Sequence, residues 1–272
     1  MHIGHLGHEL RTCKGPKSGS RNTIHVWIRG SVDHVVAPID CFHLYDRVGS
    51  PRVSHNDKFN IPRIPAIVEL CIQAGLDLKE CPTRRRVNPV YMVAGQITDF
   101  EPSNPHEVKD LQVSNDFCLK ELEVKAVSLL SNAEEIQETG ETTLKAWERM
   151  KVGAMEIMKK YSVKTCGYCP EVQVGPKGHK VRMCKAPKHQ FRGGQHAWQE
   201  ATLDDLIPPI YVWHVRDPNG MPLKNEFRKY YGKAPALVEL CVQAGAAVPK
   251  EYESMMRLDV AMPALEEAYI VA

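Results

Sequence analysis

CGYCPEVQVGPKGHKVRMC, residues 166–184, is the stretch on which the reading of this chain turns. Its first four residues set Cys166 and Cys169 two apart, a spacing at which two thiolates can pinch one ion while the intervening backbone donates to sulfur. Structural zinc and redox chemistry both use such a pair. A redox dithiol usually opens a helix after a strand, whereas this pair runs into alternating residues. Glu171–Val174 and His179–Cys184 flank the turn Gly175-Pro-Lys-Gly178, a β-hairpin pattern. The pair is then expected just before the first strand. At about 3.3 Å per residue the second strand returns Cys184 beside Cys169 and leaves His179 roughly 15 Å away.

Outward from this stretch, the chain repeats itself. Residues 1–46 align with 172–217 at a constant offset of 171, and sixteen of the forty-six positions are identical. Chance gives only a few, so two copies of one module are present. After a one-residue slip, Pro65–Gly75 (PAIVELCIQAG) parallels Pro235–Gly245 (PALVELCVQAG). Ala236, Leu237, Leu240, Cys241 and Ala244 fall on one helical face, with Gly245 placed to cap it. Cys71 and Cys241 read as core thiols.

The repeat also selects ligands. His196 recurs as His25, whereas His189 is replaced by Ser18, so the expected set is Cys166, Cys169, Cys184 and His196. Four such ligands suit closed, tetrahedral Zn²⁺. His179 is a further possible ligand; it and His214 also recur, which suits structural hydrogen bonding. The first copy holds Cys13 and His25 but no upstream C-x2-C, so its site is expected to be incomplete and the chain to be an N-terminally shortened form of a longer protein. Trp27 and Trp198 are expected as core pillars, and Asp204-Asp205 as a helix start.

The expected architecture is α+β: a first repeat at 1–83, a partly helical acidic linker at 84–160, a second repeat at 161–262 and a tail at 263–272. Residues 99–156 carry thirteen Asp and Glu against six Lys and Arg, which makes the linker a poor surface for nucleic acid. A strand-like segment at 89–100, an amphipathic pattern at Leu119–Leu130 and a helix at Thr143–Lys160 are expected within it. The net charge of +2 predicts no polyanion partner, but its distribution does. Lys177, Lys180, Arg182, Lys185, Lys188 and Arg192 lie in a stretch, 172–199, without any Asp or Glu. Six cations in sixteen residues around a metal knuckle make a phosphate-binding face. The interleaved His179, His189, Phe191 and Trp198 favour single-stranded RNA. No apolar run approaches the ~20 residues needed to span a bilayer. Nine cysteines, an odd count with several in apolar helical patterns, argue against a disulfide framework.

With these motifs in place, GQHAWQEATLDDLIPPIYVWHV and APALVELCVQAGA included, the chain resembles the plant APO proteins, named for accumulation of photosystem one. The resemblance covers 1–81 and 162–262. It implies a nucleus-encoded organellar RNA-binding protein that promotes splicing of group II introns through zinc-binding repeats, with an iron–sulfur role as the other possibility. Its ligand positions fall on Cys166, Cys169, Cys184 and His196, with His179 as a further motif residue. HVWIRG, CFHLYDR and SMMRLDV are closer to the mitochondrial branch than to the chloroplast one. A noncatalytic function is expected, since no Gly-rich phosphate loop or nucleophile elbow is present. The rival readings are a zinc-stabilised ββα-metal nuclease and a scaffold for iron–sulfur assembly.

Overall fold

A computed structural model describes residues 1–3, 25, 27–47, 52–54, 56, 58–84, 91–98, 132–175, 178–179, 184, 186–217, 219, 223–224, 227, 229–256 and 264. The elements follow in chain order as α1 (Val32–Val35), β1 (Asp40–Phe42), β2 (Arg52–Val53), β3 (Arg63–Pro65), α2 (Ala66–Ala74), β4 (Tyr91–Val93) and β5 (Gln96–Thr98). After these come α3 (Ala133–Met158), β6 (Val163–Cys166), β7 (Cys169–Val174), β8 (Gly178–His179), β9 (Trp198–Glu200), α4 (Leu203–Leu206), β10 (Tyr211–Trp213), β11 (Lys233–Pro235), α5 (Ala236–Gln243) and α6 (Lys250–Met256). Small sheets and short helices make this an α+β fold.

The repeat is visible in matching elements. β1 pairs antiparallel with β3, as β10 does with β11. Each second strand ends in Pro, whose fixed φ leads straight into a helix, α2 or α5. Gly75 and Gly245 follow these helices at φ +122° and +101°, the left-handed region that glycine enters without strain. In α5 the buried residues are Ala236, Val238, Glu239 and Cys241, while Leu240 is 43% exposed. The buried face is thus rotated from the expected one. Glu239 lies on that buried face, where its carboxylate accepts from the Val215 N–H at 3.0 Å and meets His214 Nδ1 at 2.7 Å. His43 and Glu69 form the equivalent 2.7 Å pair, with Arg47 joining at 2.5 Å. The recurring His43 and His214 therefore serve as structural hydrogen-bonding groups.

The chain divides into two compact units that cut across the repeats. One unit holds residues 1–37, 127–150 and 209–272; the other holds 38–126 and 151–208. Each therefore joins the later part of one copy to the earlier part of the other. In the first unit Leu144, Ala234, Val238, Cys241, Ala246, Tyr252 and Met256 form the core. There Gln243 Nε2 donates to Ile3 O at 3.3 Å and to Glu239 at 2.6 Å. In the second unit Ile64, Ile72 and Cys81 pack with Val68 and Leu78. There Gln73 Nε2 donates to Val174 O and to Glu69, both at 2.8 Å. Ile3 and Val174 are equivalent positions of the two copies, so the same glutamine reaches across to the other copy in both units. Arg63 adds an ion pair with Glu171 at 3.3 Å.

Three expected elements take a different form. The hairpin nearest the cysteine pair is β6–β7, in which Cys166 faces Cys169 across the turn, so the pair brackets that turn rather than preceding the first strand. β8 pairs in parallel with β2, and residues 180–183 lie outside the described residues. The strand-like segment near 89–100 is a hairpin, β4–β5, turning through Ala94 and Gly95 at φ 53° and 78°. The helix expected from Thr143 begins ten residues earlier as α3, where Asn132 Oδ1 accepts from the Glu135 N–H and caps it. The amphipathic pattern at Leu119–Leu130 lies outside the described residues.

Candidate metal centre

The centre is built in the second unit by three pieces of chain. β6 pairs antiparallel with β7 on one side and β9 on the other. A register shift between Thr165 and Cys166 turns the end of β6 toward β7. The Tyr168 N–H then points at Cys166 Sγ, 3.5 Å away, as a donor to sulfur. Trp198 opens β9 directly opposite Cys166, which brings His196 to the same end of the sheet. The third piece is a 3-10 turn, Pro187–Arg192. Its ends are tied by His189 N–H to Ala186 O (2.9 Å), Gly194 N–H to His189 O (2.9 Å) and Cys184 N–H to Gly194 O (2.5 Å). Gly193 closes it at φ +60°.

These pieces gather Cys166, Cys169, His189 and His196, whose ligand atoms all lie within 4.8 Å of one another. Cys166 Sγ is 3.2 Å from His189 Nε2, and Cys169 Sγ is 3.4 Å from His196 Nδ1. A tetrahedral ion with bonds of about 2.0–2.3 Å sets its ligands roughly 3.3–3.8 Å apart. The donor set suits such an ion, and these two separations lie close to that range within a group spread over at most 4.8 Å. His189 is completely buried, and its Nδ1 has no hydrogen-bond partner among the described residues. A buried imidazole that satisfies so little is costly, by about 1–3 kcal/mol for an unpaired polar group.

Burial is the main cause that pushes the Cys169 thiol up to about 12; the Glu171 N–H opposes it, and the neighbouring Cys166 and Cys184 thiols add to it. A metal would have to displace that proton, which is the ordinary route to a thiolate ligand.

Three of the four expected ligands are thus brought together, and the fourth member of the group is His189. Cys184 stands outside the four-atom group, although near enough to act on Cys169 electrostatically. The side chain of His179 lies outside the described residues, as does Cys13. His25 is half-buried and stacked on Trp27, with ring centroids 4.9 Å apart. Trp27 is 39% exposed, and Trp198 lies against His196 at 4.7 Å, half-buried. Asp205 caps α4 with Thr202, as expected of a helix start. Of the six expected phosphate-binding residues, Lys188 and Arg192 are described, and both are exposed; Lys177, Lys180, Arg182 and Lys185 lie outside the described residues. Tyr168 carried no weight in the sequence, yet it sits in the ligand turn with the Arg192 guanidinium 5.1 Å above its ring. Among the described residues no helix is long and apolar enough to cross a membrane.

The APO RNA-binding family profile matches residues 1–99 and 107–266. The whole chain aligns with three proteins of Arabidopsis thaliana: "APO protein 3, mitochondrial" at 52% identity, "APO protein 2, chloroplastic" at 46% and "APO protein 1, chloroplastic" at 42%. It spans 67%, 62% and 63% of their respective lengths. No solved structure matches. On this footing, and with both repeats inside the matched segments, the chain belongs to the APO RNA-binding family.

Proposed function

We propose that this protein binds unpaired organellar intron RNA and promotes group II intron splicing without catalysing a reaction itself. The match to the APO RNA-binding family over nearly the whole chain carries this reading. Zn²⁺ is the proposed ion, held by Cys166, Cys169, His189 and His196, because two thiolates and two imidazoles form a closed tetrahedral set. Its part is structural: it would lock the β6–β7 turn to the 3-10 turn and to the start of β9. The mitochondrion is the proposed compartment, on the 52% identity to a relative that bears that location in its name.

Lys188 and Arg192 project from the rim of the centre, and the basic residues between 177 and 185 extend the same stretch of chain. Phosphate contacts of this kind release counterions, so affinity falls with salt, with a slope of roughly −0.7 per phosphate for single strands. Fluorescence anisotropy with single-stranded RNA and duplex DNA at several salt concentrations tests the binding. Salt-dependent preference for the RNA supports it, and preference for the duplex would overturn it. Immunoprecipitation from isolated organelles with sequencing of bound RNA tests the intron assignment.

A further inference from the structure

We propose that Tyr168 and Phe191 form a base-stacking platform on the rim of the metal centre, which seats an unpaired base of single-stranded RNA while Lys188 and Arg192 hold the flanking phosphates. The proposal rests on the RNA-binding reading and adds to it which residues meet the bases.

Phe191 is 98% exposed, so its whole ring stands in water. Burying such a ring would stabilise a protein by about 1.5–3 kcal/mol, which this chain forgoes. The ring is nonetheless held on a fixed backbone. It sits on the 3-10 turn that carries His189, tied at Ala186, Gly193 and Gly194. Tyr168 is 42% exposed and sits in the turn between Cys166 and Cys169, with its ring centroid 6.1 Å from that of buried His189. Both turns that supply ligands inward thus present one aromatic ring outward. Aromatic faces on fixed backbone bind bases at low entropic cost, and every base has a face to offer. The charge beside them selects the occupant. Lys188 and Arg192 are exposed next to Phe191, and the Arg192 guanidinium also lies 5.1 Å over the Tyr168 ring, so one cation borders both rings.

At these positions the two copies share the cations and differ in the rings. Lys188 and Arg192 correspond to Lys17 and Arg21, whereas His189 and Phe191 correspond to Ser18 and Ser20. Charge recurs and the aromatic ring does not. Base contact is accordingly a property of the second copy, while the first retains cations suited to phosphate.

The test uses the full chain with a labelled oligouridine of about 20 nucleotides and an abasic strand of the same length. Phe191→Ala should weaken oligouridine binding about 5- to 150-fold, the range of one lost stack, with the salt slope unchanged. Phe191→Trp should restore it. The abasic strand should bind wild type and Phe191→Ala alike. Lys188→Gln with Arg192→Gln should instead flatten the salt slope. Equal metal content in wild type and Phe191→Ala verifies that the centre is intact, as a fully exposed side chain leads one to expect. Tight oligouridine binding by wild type that Phe191→Ala leaves unchanged overturns the platform while RNA binding stands, and leaves the exposed ring to a protein contact. Failure of wild type to bind oligouridine at any salt concentration overturns the RNA-binding reading and the platform together.

Discussion

His189 shows how one side chain can decide a site. It competes with Cys184 for the last ligand position, and the two make opposite predictions. His189→Ala should lose the bound ion, whereas Cys184→Ala should keep one ion per chain by elemental analysis; the reverse pattern would return Cys184 to the ligand set. The sequence directs attention to Cys166, Cys169 and His196 through spacing and recurrence, but recurrence hides His189, because Ser18 replaces it in the other copy. Its signal was local instead: a Pro187-Lys-His run before two glycines, Gly193 and Gly194, which can fold a tight turn back toward the cysteines. Cys41 supports a second prediction at this scale. It is 1% exposed in β1, and burial first, then the Glu69 carboxylate, pushes its thiol well above the ordinary 9.0. The folded state holds a proton that the unfolded chain sheds, so this contribution to stability is fully present below the unfolded value and is lost as pH climbs through the folded one. The equivalent position of the other copy is Val212, also buried. Cys41→Val should therefore reduce the loss of stability between about pH 7 and pH 10, measured as the shift in urea midpoint.

The recurring helices α2 and α5 each bury a carboxylate, Glu69 and Glu239. The alternation of apolar residues locates both helices and their glycine caps, yet periodicity alone sets Leu240 inside and leaves Glu239 out. A carboxylate inside a helix face is legible only when its partners are known, and His214 lies twenty-five positions away. In α2, Glu69 holds His43, Arg47 and Gln73 at once. Removing it leaves buried polar groups and a guanidinium without their acceptor, so Glu69→Ala should destabilise the protein by about 3–5 kcal/mol, read from chemical denaturation. Gln73→Ala removes only the link to Val174 and its bond to Glu69. It should cost less, and its effect should appear mainly as weaker protection of the β7 amides in hydrogen exchange.

At the scale of the whole molecule, self-comparison reveals that two copies exist but not which half of one packs with which half of the other. The hairpin and β–helix halves of either copy read as neighbours because they are neighbours in sequence. The units join them the other way: 38–126 with 151–208, and 1–37 with 209–272. A fragment spanning 38–208 holds every segment of one unit and should fold as a monomer that binds one ion, with a thermal midpoint independent of concentration. A fragment spanning 161–262 holds one complete copy but neither complete unit. It should be folded only when two molecules exchange their hairpins, so its midpoint should rise with protein concentration. Analytical ultracentrifugation of both fragments checks this, and a stable monomer of 161–262 would refute it. The glutamine that reaches across, Gln73 in one unit and Gln243 in the other, thereby imposes a rule of parity. Copies that each complete the other's unit are whole only in pairs, so a gene that lost one copy would yield a sticky half-protein, and one that gained a third would leave a part with nothing to close.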